Sequence, residues 1–234
     1  SFYYFLLFSV ANNVLFIGEG EYEHAIKKNK WFKKKFHYAP FGIDLNFWKN
    51  NKNDIDFENK KGILFVGNDS NRSFETVIQL SRQLKEYEFT FVTNEIFEED
   101  VGSNVTLHNG SWGSPALSDS ELKELYQKSK LTIIPLKDTI QPSGQSVALQ
   151  SMAAGTPVLI TDIEGLWDKR NLINNENIVL LNSNDIEEWK SKILKLYPDS
   201  NKLSYISKNG VECVTKNFDM DNFYKQIKDN IPNL

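Results

Sequence analysis

The run LTIIPLKDTIQPSGQSVALQSMAAGTPVLIT, residues 131–161, decides the fold. Leu131 to Ile134 is a short, wholly apolar or β-branched segment stopped by Pro135, the pattern of a buried strand. Gly144 to Ala154 reads as a helix closed by Gly155, because a glycine past the last turn takes the left-handed conformation without a Cβ penalty. Val158 to Thr161 is a second short apolar strand.

The same alternation extends both ways. Ile63–Val66, Phe89–Val92, Val105–Leu107 and Ile178–Leu181 read as strands. Phe74–Tyr87 places Phe74, Val77, Ile78 and Leu84 at helical spacing. Asp119–Lys130 is a helix opened by Ser118 or Asp119 as its cap. Three helices, at about 184–197, 200–216 and 219–230, finish the chain. Continuous apolar strands separated by helices indicate a parallel sheet covered on both faces. The fold class is therefore α/β, a doubly wound, Rossmann-like parallel sheet over residues 60 to about 200. Such sheets bind ligands in the crevice at the C-terminal ends of their strands.

The composition agrees. Of 234 residues, 40% are hydrophobic, 25% charged and 13% aromatic, a globular balance. With 27 basic and 31 acidic residues the net charge is −4, which speaks against nonspecific nucleic-acid binding. One cysteine, Cys213, leaves no internal disulfide and no multi-cysteine metal site, and it fits a reducing compartment. Only three residues are arginines, at positions 72, 82 and 170. Lysine does not replace arginine's planar fork on a phosphate, so their places carry information.

Before the sheet, Val14–Ile17 is a short strand ending at Gly18, Glu21–Lys30 a polar helix and Phe36–Ala39 another strand, with a turn at Pro40–Gly42. Residues 49–61 are strongly polar and look like a linker. Residues 2–8 are all apolar or aromatic. They are too few for a membrane span and lack the basic flank of a signal peptide. Three readings stand: a core helix or strand, a membrane-surface segment, or a segment that packs against chain lying upstream.

Two strand-end loops carry the chemistry. The first, Gly67-Asn-Asp-Ser-Asn-Arg72-Ser, is neither a dinucleotide fingerprint nor a Walker loop, but it puts Arg72 at a helix start beside a strand end. In the second, Pro142-Ser143-Gly144 enters the helix tightly, and small residues let a ligand reach the N–H groups of Gly144, Gln145 and Ser146. A helix N-terminus with free N–H groups is an anion site, and a diphosphate fits there with Arg72 opposite. Gln150, in the second turn, can offer donor and acceptor to a sugar hydroxyl. The loops after Val92 and Leu107, with Thr93, Asn94 and His108-Asn109-Gly110, lie at the same end of the sheet. Glu164-Gly165 follows the strand ending at Thr161, while His24, His37 and His108 read more readily as structural histidines.

Ser143 to Ile160, with Pro40-Phe-Gly-Ile-Asp44 before the sheet, resembles the family-4-type (group 1) retaining glycosyltransferases of the GT-B fold. The run Gln150-Ser-Met-Ala-Ala-Gly-Thr-Pro-Val158 stands where that family ends its signature in Glu-Ala-Met-Ala-x-Gly-x-Pro-Val. The resemblance implies the C-terminal half of a GT-B fold, with residues 1–45 a remnant of the acceptor-side domain, 46–216 the nucleotide-sugar-binding domain and 217–234 a last helix packing back on the N-terminal side. It implies a metal-independent hexosyltransferase that takes a nucleotide diphospho-sugar as donor substrate, without other cofactor, and passes the sugar to a glycan or lipid-linked glycan. It further implies donor contacts from Gly67, Asn68, Arg72, Asn94, Gly144, Gln145, Ser146 and Gln150, with Arg72, Ser143, Gly144 and Gln145 nearest the chemistry. The expected setting is cytoplasmic, at the inner membrane face, with peripheral membrane association of the full-length protein and an N-terminal domain as partner.

The chain departs from the family at known positions. The family's two glutamates, eight residues apart, fall at Pro142 and Gln150, and its arginine–lysine phosphate pair falls at Asn68 and Arg72. These losses keep a second reading open: a non-catalytic nucleotide- or phospho-ligand-binding module of a larger protein. A different GT-B-like enzyme, such as an epimerase or a phosphorylase, is the third.

Overall fold

The computed structural model describes residues 2–50, 55–110 and 116–231. Six short strands, β3 (Ile63–Val66), β4 (Phe89–Val92), β5 (Val105–His108), β6 (Leu131–Ile134), β7 (Val158–Thr161) and β8 (Val179–Leu181), join in the order β5-β4-β3-β6-β7-β8, every pair parallel. Successive side chains in a strand point to opposite faces. Ile63, Phe65, Leu131, Ile133 and Leu159 therefore enter one core with Val77, Leu80, Trp189 and Ile193. Leu64, Ile134, Val158 and Ile160 enter the other with Ala148, Leu149 and Met152. Burial on both faces is why these strands show no polar alternation, and each such aliphatic side chain contributes about 1.5–3 kcal/mol.

Helices α4 (Phe74–Gln83) and α7 (Ile186–Leu196) cover the first face; α5 (Asp119–Lys128) and α6 (Gln145–Ala153) cover the second; and α8 (Ser200–Asn217) contributes to both cores. α6 has almost no polar face, because Val147, Ala148, Leu149, Ser151, Met152 and Ala153 are all buried. Its alanines admit close neighbours, including α8. It ends in a Schellman turn, with Gly155 at φ 79°, Gly155 N–H on the Met152 carbonyl (3.0 Å) and Thr156 N–H on that of Ser151 (2.9 Å).

β3 and β6 are neighbours at the centre of the sheet, yet the chain leaves β3 toward β4 and leaves β6 toward β7. The two connections diverge and open a crevice at this switch point.

The N-terminal segment forms α1 (Phe2–Val10), β1 (Val14–Phe16), α2 (Glu19–Lys28), a 3₁₀ turn at Lys30–Lys35 and β2 (Phe36–Tyr38), with β1 and β2 parallel. The apolar run at residues 2–8 is thus helical, with Phe8 in a small core beside Phe16, Ala25 and Phe36. Glu19 ties this segment to the sheet domain. Its N–H donates to the Trp167 carbonyl (2.9 Å), and its carboxylate accepts from Lys169 N–H (2.9 Å) and Arg170 Nε (2.6 Å). Tyr38 Oη also donates to the Trp167 carbonyl, and burial pushes that phenol's pKa well up. A short helix, α3 (Leu45–Trp48), capped by Asp44, follows Gly42. The last helix, α9 (Met220–Asn230), lies along Tyr38–Ile43, with Ile43 N–H on the Phe218 carbonyl (2.9 Å) and Met220 N–H on that of Ile43 (3.1 Å).

Two sequence expectations need correction. α4 ends at Gln83, not Tyr87, because Leu84–Tyr87 closes a turn that sets Tyr87 against Tyr197, ring centroids 4.5 Å apart. The polar stretch 49–61 is not a free linker over its described part. Phe57 is buried in a core and Lys60 Nζ reaches Thr156 Oγ1 (2.8 Å) across the Phe57 ring. Apolar stem and ring are covered while the ammonium finds oxygen partners, which composition alone does not reveal. Residues 51–54 of that stretch lie outside the described residues.

Candidate functional site

The crevice floor is built by the turn after β3 and the loop after β6. Asp69 folds the first one: its Oδ1 accepts from Asn71 N–H (3.0 Å), and its carbonyl accepts from Arg72 N–H (3.1 Å). The backbone then pairs with the other loop, Ser73 N–H on the Pro135 carbonyl (2.9 Å) and Lys137 N–H on that of Asn71 (2.7 Å). Thr161 Oγ1 accepts from Leu136 N–H (2.9 Å), fixing the second loop to the end of β7. These bonds aim the Arg72 side chain at the start of α6.

Arg72 is nearly buried, 3% exposed. Its Nη1 donates to Ser143 Oγ (2.7 Å) and lies 3.2 Å from Asp69 Oδ2, while the Ser143 hydroxyl donates to Asp69 Oδ1 (3.0 Å). Cation, hydroxyl and carboxylate close a ring, so Ser143 spends its single proton on Asp69 and acts by positioning Arg72. Burial lowers the guanidinium pKa, and Asp69 opposes that shift. An arginine stays charged even so. Nε lies against Gly67, where a Cβ would come within 2.5 Å of it, and it has no partner among the described residues. Nη2 also makes no hydrogen bond among the described residues, so half of the fork is left for an incoming oxygen.

Gly144 is the N-cap of α6 at φ 75°, and no side chain caps the helix. A Cβ there would meet Ile134 Cγ2 at 2.9 Å and Arg72 Nη1 at 3.4 Å. The first N–H groups of a helix have no internal partner, so those of Gln145 and Ser146 open beside Arg72. Gln145 Oε1 is buried without a hydrogen bond among the described residues. Gln150, half-buried, accepts a long bond from the fully buried Tyr126 hydroxyl (3.4 Å). Pro142 abuts Gly18 at the start of α2.

The remaining expected residues line the same rim. Asn68 Oδ1 accepts from Asn94 N–H (2.7 Å), and Asn94 Oδ1 accepts from Gly110 N–H (2.6 Å). The turns after β3, β4 and β5 are thereby laced together. Gly165 N–H donates to the Thr139 carbonyl (2.9 Å), which brings the Glu164 turn to the 139–141 loop. His37 pairs with Asn13 (2.9 Å), away from the crevice. Sequence reasoning missed Asp69. Its signal was an aspartate two residues after the strand-ending glycine, placed to bend the turn. Two Asp-x-Asp spacings occur, at 54–56 and 219–221; Asp54 lies outside the described residues, and neither Asp56 nor Asp219 is at the crevice. Asp56 accepts from Glu58 N–H and Asn59 before β3, and Asp219 pairs with Ile43.

Comparison with known proteins places this geometry in a family. The model of the glycosyl transferases of group 1 matches residues 60–199, more than half of the chain. A curated D-inositol 3-phosphate glycosyltransferase of Thermobispora bispora is 29% identical over 97 residues, 42% of this chain and 22% of that protein. Among solved structures, Anabaena Alr3699/HepE in complex with UDP and glucose superposes with TM-score 0.76 at 15% identity, over 96% of this chain and 64% of that one. Sucrose-phosphate synthase of Thermosynechococcus elongatus gives TM-score 0.74 at 19% identity, over 96% and 59%. The chain thus spans about a fifth of the curated relative and less than two thirds of these structures. On the family match and the Rossmann-like sheet it covers, the chain belongs to the glycosyl transferases of group 1.

Proposed function

We propose that this chain is the donor-binding half of a retaining glycosyltransferase, holding a nucleotide diphospho-sugar whose sugar passes to a glycan or lipid-linked glycan acceptor. The observation that carries the reading is Arg72 turned onto the uncapped amino end of α6 at the switch point. Transfer breaks the bond between the anomeric carbon and the diphosphate, and the electron pair leaves with the phosphate oxygen. Preorganised donors aimed at that oxygen stabilise the departing charge. Arg72 Nη2 and the N–H groups of Gln145 and Ser146 are the donors, Asp69 and Ser143 hold the arginine, and no metal is needed for this share. The acceptor hydroxyl enters on the face the diphosphate leaves, its oxygen bonding to the anomeric carbon and its proton passing to the departing phosphate oxygen, which retains configuration. Gln150 serves the ribose, and Asn68, Asn94 and Gly67 shape the rim for the base. UDP and UDP-glucose bound to the similarly folded Alr3699/HepE support a nucleoside diphosphate here.

Thermal unfolding of the chain with UDP, GDP and ADP in parallel tests the reading, since a ligand that binds the native state raises apparent stability. One nucleotide should shift the midpoint, and Arg72→Ala should abolish the shift. No shift with any of the three would remove the diphosphate from the crevice. A second reading, a binding module without transfer, is favoured by Pro142, which offers no carboxylate where the resembled family has one. Slow hydrolysis of a labelled nucleotide sugar favours the enzyme; saturable binding with no turnover favours the module.

A further inference from the structure

A diphosphate is expected to meet a basic site, and this crevice is not basic. The two loops that build its floor, 67–73 and 135–144, hold four charged residues, Asp69, Arg72, Lys137 and Asp138, whose formal charges cancel. The turn that meets them brings another acid, Glu164. Lys137 Nζ donates to the Ser70 carbonyl (3.1 Å), so Arg72 is the cation turned onto the amino end of α6. Arg72 in turn faces a carboxylate, with Asp69 Oδ2 at 3.2 Å; the arginine side chain is 4% exposed and that of Asp69 47%. The cation is thus buried against the protein while the anion stays half open to the crevice mouth.

Local structure does not require that charge. Asparagine bends such a turn as aspartate does, since the Asn71 N–H needs only a side-chain oxygen, and so does the Ser143 hydroxyl. The reaction, however, changes the charge of what lies beside Asp69. In a nucleotide diphospho-sugar the terminal phosphate is a diester, and the diphosphate carries two negative charges. Once the sugar has left, the terminal phosphate is a monoester. The proton it received from the acceptor is lost to water above a pKa of about 6, and a third negative charge appears on the group that Arg72 holds.

We propose that Asp69 is a specificity-determining residue that sets the donor against the spent nucleotide: its carboxylate repels the third charge of the nucleoside diphosphate and limits the hold of Arg72 on the product. The inference rests on the donor reading above. A phosphate bound at Arg72 Nη2 stands ~6 Å from the Asp69 carboxylate, and in surroundings between water and a protein surface one unit charge at that distance changes affinity about five- to tenfold. The charge that donor and product share is repelled equally in both, so only the third charge separates them. Arg72 can then be buried and well held, as stabilising the departing oxygen demands, without trapping the product.

The test is calorimetric titration of the 234-residue chain with UDP, GDP and ADP, each beside its terminal-phosphate methyl ester, which lacks the third charge and carries no sugar. The readout is the ratio of the diphosphate's Kd to its ester's, at about pH 7.5, where the free monoester is fully ionised. Asp69→Asn keeps an oxygen for Asn71 N–H and removes the charge, and it should lower that ratio about five- to tenfold. Asp69→Ala should lower it equally, and Asp69→Glu should keep it near the wild-type value. Ser143→Ala removes the hydroxyl between Asp69 and Arg72 but leaves both charges, so it should weaken the two ligands alike and leave the ratio unchanged. A ratio unmoved in Asp69→Asn and Asp69→Ala, or moved as far by Ser143→Ala, would overturn the proposal while the donor reading stands. No binding of any of these ligands by the unaltered chain would overturn the donor reading, and the proposal with it.

Discussion

Replacing Gly144 by alanine puts the proposed site's geometry to its sharpest test, because one methyl group meets two separate costs. The first is conformational. At φ 75° an L-residue brings its Cβ against the following carbonyl, a cost of about 1–2 kcal/mol. The second is steric. The new carbon would stand 2.9 Å from Ile134 Cγ2, itself fully buried under α6, and overpacking of that kind costs about 1–3 kcal/mol. Together the variant should lose about 2–5 kcal/mol, read as a lower denaturation midpoint in urea at unchanged slope. Gly102→Ala is the control, since the residue lies on an exposed turn without a positive φ and its Cβ would meet only Asn104 Oδ1, at 3.1 Å. The same methyl group would sit 3.4 Å from Arg72 Nη1, so nucleotide affinity should fall as well. A Gly144→Ala protein within 0.5 kcal/mol of wild type, with unchanged nucleotide binding, would refute the left-handed cap and the site built on it.

Three further outcomes follow from the same crevice and core. Arg72→Ala should lower turnover of a labelled donor in the full-length enzyme by about 10²–10³, the usual loss for one preorganised donor, and wild-type turnover would remove Arg72 from the chemistry. Gly67→Ala places a carbon 2.5 Å from Arg72 Nε and should reduce nucleotide affinity at least ~10-fold by calorimetry, as the guanidinium is pushed off Ser143. Burial pushes the Cys213 thiol up to about 11, so the folded protein keeps its proton while the unfolded chain loses it above the ordinary thiol value near 9. The native state then binds more protons, and this group's contribution to stability is full below pH 9 and lost as pH rises toward 11. Urea midpoints across that range should decline, less so in Cys213→Ala, and a thiol reagent at pH 8 should react only on unfolding.

Much of the architecture was legible before any coordinates. Ile63–Val66, Leu131–Ile134 and Val158–Thr161 are apolar on both alternations, and only a strand covered on two sides tolerates that. Gly144 and Gly155 bracket α6 because left-handed backbone at a helix end favours glycine whatever the rest of the chain does. Boundaries were less legible. The end of α4 depends on Tyr87 finding Tyr197, more than one hundred residues away, and the polar stretch 49–61 hides Phe57 and Lys60 in contacts that its composition does not announce. The site divides in the same way. That residues 67–73 and 142–146 sit at strand ends follows from local pattern alone. That Arg72 meets Ser143, 71 positions on, follows only because β3 and β6 become neighbours while their connections diverge. Asp69 became part of the site only there: a carboxylate's partners are set by distance in space, and its role appears once the fold brings cation and hydroxyl within 3.2 Å.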